Sequence, residues 1–124
     1  MEDPVSVARD MAPRIRELAP RIERERRLPQ ELVDDLVRAG LMHLVVPRSL
    51  GGQECDPVSA AQAVEELARA DGSTGWCAML AAQSGAFSGL VDQDVAREVW
   101  GNGGIVAGAA RPIGRAEWSA SPRG

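Results

Sequence analysis

Lysine and tyrosine are missing altogether from these 124 residues, phenylalanine and histidine occur once each, and there are two cysteines. Each shortage excludes something. With His43 as the single histidine and no thiol at ligand spacing beside it, a metal centre lacks donors. Cys55 and Cys77 are far apart and form no C-x-x-C pair. The acidic opening, Glu2 and Asp3, is followed by no apolar run of the export type. A reducing cytoplasm is therefore the expected setting.

The chain also lacks an excess of positive charge. Its net charge is −4, and the arginines alternate with glutamates. The densest basic stretch, "RIERERR" at residues 21–27, is diluted by Glu23 and Glu25 and reads as a solvated helix face. Nucleic acid is not an expected partner. Nor is there a long enough apolar run for a membrane. "WCAMLAAQSGAFSGLV", from Trp76 to Val91, is interrupted by Gln83, Ser84 and Ser88. It falls short of the roughly 20 apolar residues that a spanning helix needs. A buried helix, apolar on several sides, is the expectation.

With few aromatics, leucine, valine, alanine and methionine have to fill the core, and they recur at helical spacing. Met11, Ile15, Leu18 and Ile22 form one stripe, with Pro13 and Pro20 expected to start or kink that helix. A second helix opens near Pro29, faces Leu32, Val33, Leu36 and Val37 inward and stops at Gly40. "LMHLVVP" (residues 41–47) reads as an extended segment, and Gly51-Gly52 as a turn. Asp56-Pro57 caps a third helix with Val58, Ala61, Val64 and Leu67 on its apolar face. That helix ends at Asp71-Gly72, and Ser73 or Thr74 is placed to cap the apolar helix. Asp92 opens a short fifth helix.

After Gly103-Gly104 the character changes: "IVAGAARPIG" is β-prone and turn-rich, and "SASPRG" has no periodicity. The expected architecture is all-α, about five helices over residues 1–104. Residues 105–124 are expected to open a β domain that is not completed, because a lone strand cannot satisfy its backbone.

The ordered set "LPQELVDDLVRAGLMHLVVPRSLGGQECDPVSAAQAVEELARADGSTGWCAML" resembles the N-terminal helical domain of the acyl-CoA dehydrogenase superfamily. Ala39-Gly40-Leu41, Pro47 with Gly51-Gly52, and Glu66 to Asp71 carry the likeness. "DGSTGW" followed by "VAGAARPIGRA" looks most like the flavin-dependent monooxygenase branch. The dehydrogenase branch has a Thr-Glu-Pro motif where this chain has Ala110, Arg111 and Pro112. The resemblance implies FAD or FMN as cofactor, a small organic substrate, a separate flavin reductase as partner, and homo-oligomeric full-length relatives. It implies that Trp76, Ala110 and Pro112 lie near the flavin. It also implies that Trp76 and Ser84 face the substrate, with Ser84 where phenol hydroxylases carry a histidine. Relatives are about three times longer, so a truncated chain is expected, without catalytic residues of its own. The alternatives are an acyl-CoA dehydrogenase acting on the CH–CH bond of a thioester, or a helical fragment without catalysis.

Overall fold

The computed structural model describes residues 2–108 and 111–118. Among these, five α-helices follow in order: α1 (Pro4–Glu25), α2 (Gln30–Arg38), α3 (Pro57–Ala70), α4 (Gly72–Gly85) and α5 (Gln93–Trp100). Two 3-10 turns, Arg48–Leu50 and Ala86–Leu90, complete the set. The all-α architecture expected from the periodicity is the one that forms. None of these helices is long and apolar enough to cross a membrane.

The tetrapeptide Asp-Pro-Val-Ser occurs twice, at residues 3–6 and 56–59, and starts a helix both times. In each copy the aspartate carboxylate accepts from the backbone N–H of the valine and of the serine. The serine hydroxyl donates to the same carboxylate. Proline at the first helical position gives up an N–H that has no partner there anyway. The serine hydrogen bonds hold both carboxyls below the ordinary aspartate range.

Because Asp3 caps α1, the prolines farther along do not start it. Pro13 and Pro20 lie inside one continuous helix. Each removes an N–H from the carbonyl four residues back, at Arg9 and Arg16. Both prolines and both arginines are solvent-exposed, so water can serve the freed carbonyls.

Ile15 and Ile22 of α1, Leu32 and Leu36 of α2, and Ala63 and Leu67 of α3 join one buried cluster. In it α3 lies between α1 and α4. Its inward face is rotated from the expected stripe: Ala60, Ala63 and Leu67 are buried, while Val58 and Ala61 are exposed. Close approach on both flanks selects the alanines over the bulkier Val58.

Residues 41–47, expected to be extended, instead run through turns and bends at the centre of the core. Gly40 turns the chain into them with φ of 75°, a left-handed conformation that suits glycine. Their carbonyls are satisfied by the loop that follows: Gln53, Glu54 and Cys55 donate to His43, Val46 and Leu44. These backbone bonds help a buried segment without regular structure to persist.

A smaller cluster of Val46, Ala96 and Trp100 carries α5, with Val106 packed against it. His43, buried in the core, bonds the Gly104 carbonyl through Nε2 at 2.9 Å. These contacts anchor the chain just past α5. Residues 105–108 and 111–118, expected to open a β layer, form no strand. A strand needs a neighbouring strand for its N–H and C=O groups, and there is none among the described residues.

Candidate functional site

One extended residue separates α3 from α4. Asp71 has φ −159° and ψ 124°, ends α3 and caps α4. Its carboxylate accepts from the Thr74 N–H at 2.7 Å and from the Thr74 hydroxyl at 2.8 Å. The cap is therefore Asp71, not Ser73 or Thr74. A one-residue junction folds the two helices sharply against each other, and Gly75 makes that possible. A Cβ on Gly75 would lie 2.5 Å from the Ala68 Cβ and 2.6 Å from its Cα.

That close packing sets the direction of the next residue. With Gly75 turned into α3, Trp76 turns out and stays 61% exposed. Leu80 and Phe87 continue the same side, the latter 57% exposed. Gln83, also exposed, lies seven residues after Trp76 and so about 20° from it around the helix. Ser84 is eight residues on, about 80° round, and lies buried instead. Its hydroxyl donates to the Ala81 carbonyl at 2.9 Å. The polar side chain on the Trp76 face is thus Gln83, which the seven-residue spacing could have identified.

Trp76 and Cys77 stand in one wall of a groove of about 1090 Å³. The opposite wall is the C-terminal half of α1 and the turn after it, with Arg16, Glu23, Arg26 and Arg27. Arg26 and Arg27 belong to the stretch read as a solvated face. Sequence periodicity has no means of showing that α4 packs within reach of it. Burial pushes the Cys77 thiol up, with the nearby Asp71 adding to the effect. Cys55 is raised for the same first reason. Both cysteines stay protonated near neutral pH and are poor nucleophiles.

Pro112 is exposed in the irregular segment after α5 and is not among the described residues lining this groove. Ala110 lies outside the described residues. Of the residues expected around a flavin or its substrate, the groove therefore holds Trp76. A second groove of about 550 Å³ lies between α3 and α4, lined by Val45, Pro57, Val64, Met79 and Gln83, and is almost wholly apolar.

Residues 5–95 match the acyl-CoA dehydrogenase N-terminal domain. The chain belongs to the acyl-CoA dehydrogenase family. Over 92 residues it is 38% identical to the "flavin-dependent monooxygenase, oxygenase subunit HsaA" of Mycobacterium tuberculosis, covering 74% of this chain and 23% of that protein. It is 32% identical over 74 residues to the indole-3-acetate monooxygenase of Acinetobacter baumannii, covering 60% of this chain and 19% of that protein. To the dibenzothiophene monooxygenase of Rhodococcus erythropolis it is 43% identical over 75 residues, 59% and 18% of the two chains. This member of the family thus spans about a quarter or less of the length of these relatives. All but the first residue of α1, and the whole of α2 to α4 with the turn after them, fall within the family match.

Proposed function

We propose that this chain supplies the helical layer of a flavin-dependent oxygenase that acts on a small organic substrate. The carrying observation is Trp76: a rigid, flat indole held outward by the α3–α4 junction, beside a groove large enough for a ring system. The names of the relatives, all monooxygenases, favour oxygenation over dehydrogenation of a thioester.

An isoalloxazine ring fits such a wall, being flat and largely apolar on its faces. Flavin, FAD or FMN, reduced by a separate reductase, would supply the electrons and activate oxygen. What the chain itself does is narrower. Trp76 orients a flat ring and keeps water from one side of it, while Leu80 and Phe87 extend that apolar surface. Asp71 and Gly75 fix the direction of the indole. Pro112 and Ala110 would meet the ring through backbone, and Ser84 would shape the wall by packing. The two free cysteines suit a reducing compartment, which is the cytoplasmic setting of the proposal.

The test is a chimera in which residues 5–95 replace the matching segment of one of these oxygenases, assayed with that enzyme's reductase. Substrate-dependent oxygen uptake with an oxygenated product, lost at least tenfold in Trp76→Ala, supports the reading. A folded, flavin-loaded chimera that makes no product defeats it.

A further inference from the structure

His43 is a polar residue set in an apolar run. Leu41, Met42, Leu44 and Val46 around it are buried, and the histidine is buried with them. Both ends of its backbone are fixed. The His43 N–H donates to the Gly40 carbonyl at 3.1 Å, and the His43 carbonyl accepts from the Gln53 N–H at 3.0 Å. From this base the ring reaches a group 61 positions along the chain, with Nε2 at 2.9 Å from the Gly104 carbonyl oxygen. A carbonyl only accepts, so Nε2 carries the proton and donates. Burying a polar ring costs free energy that an apolar side chain of similar size would avoid. What the histidine adds in return is the bond to Gly104.

The receiving end is equally specific. Gly103 turns the chain with φ of 76°, and a Cβ on Gly104 would lie 1.8 Å from the Val99 carbonyl oxygen. Gly103 and Ile105 line a groove of about 420 Å³ with Val33 and Val37 of α2. Val106 packs against Val46, Ala96 and Trp100. The chain thus leaves α5 past α2 and the central segment, with His43 hydrogen-bonded to it on the way. We propose that His43 is a positioning residue. Through the Gly104 carbonyl it fixes residues 103–106, and so the point from which Pro112 and its neighbours leave the helices. The link to Pro112 rests on the flavin reading; the fixing of residues 103–106 does not.

The experiment is NMR on the 124-residue chain and two variants. His43→Gln keeps an N–H donor, and His43→Leu keeps volume without one. In the parent, long-range nitrogen correlation should show Nε2 of His43 protonated. The backbone order parameters of Gly104, Ile105 and Val106 should there reach about 0.85, the value of rigid backbone. In His43→Leu they should fall below about 0.6 while those of α1 to α4 hold, and His43→Gln should restore them. A ring that merely fills space gives the reverse order, because leucine then suits the core and glutamine does not. That reverse order overturns the proposal, as does an unprotonated Nε2 or a parent already mobile at residues 104–106. Should His43→Leu not fold, the parent and His43→Gln decide alone. In a chimera carrying residues 5–118 in one of the oxygenases, His43→Leu should lose about tenfold in product per oxygen consumed. His43→Gln should regain it, and an active chimera indifferent to His43→Leu overturns the link to Pro112. A chimera that makes no product removes the oxygenase reading, while the order parameters still decide the role of His43.

Discussion

On one side of α4, Thr74, Gly75, Ala78, Ala82 and Gly85 are buried in the packed interior; on the other, Trp76 and Leu80, with Phe87 in the turn that follows, stand in solvent. Hydrophobicity does not separate these two groups, since the exposed one is the more apolar. Size does. A Cβ on Gly85 would come within 2.7 Å of the Val46 Cγ2, and one on Gly75 would overlap Ala68. The buried side is shaped for close approach, which in a dense interior is worth more than the extra area of a large side chain. The large residues are displaced to the face that the proposed ligand site uses.

The comparison breaks most severely at Gly75. Gly75→Leu drives a side chain into the α3 backbone and is expected to cost about 3 kcal/mol, the upper end for overpacking. Urea unfolding followed by helical circular dichroism reads it. An unchanged midpoint would mean that the two helices separate without penalty and that size does not choose the faces.

A smaller effect is expected at the junction. Asp71→Ala removes the cap from the Thr74 N–H and hydroxyl and should cost about 1 kcal/mol. The same loss should release the first turn of α4, seen as faster amide exchange at Gly75 and Trp76 than at Ala81. Uniform exchange along α4 would separate the direction of Trp76 from the cap and leave Gly75 alone to set it.

These two sites also mark what sequence could and could not convey. Five helices, the stop at Gly40 and the cap at Asp56 follow from local rules, because capping and periodicity are properties of a few neighbouring residues. The second Asp-Pro-Val-Ser, at residues 3–6, obeys the same rule as the first and was equally readable. It makes Pro13 and Pro20 interior, where each costs one hydrogen bond, instead of starts. The face that α3 turns inward depends on two partners at once, so Val58 and Ala61 fell on the wrong side of a periodicity argument. The groove is less local still. Arg26, Arg27 and Trp76 are some 50 positions apart in sequence and line one groove because α3 packs against both α1 and α4. Trp76 itself was legible as a candidate, whereas Ser84, eight residues on, is turned about 80° from it around the helix.

The other face should behave in the opposite way. Leu80→Gln together with Phe87→Gln removes apolar side chains that are 37% and 57% exposed. Little buried area is lost, so stability should stay within about 0.5 kcal/mol of the parent, as for surface substitutions in general. What should change is the surface. Trp76, Leu80, Phe87 and the 78% exposed Leu90 leave large apolar side chains in solvent, the kind of surface that binds neutral dyes and promotes association. Nile red fluorescence and the apparent size in chromatography should therefore both fall in the double variant. Gly75→Leu perturbs stability through a single small residue, and this pair perturbs the surface through two large ones. If the double variant instead unfolds like Gly75→Leu, these side chains are part of the core, and the division of α4 by size is wrong.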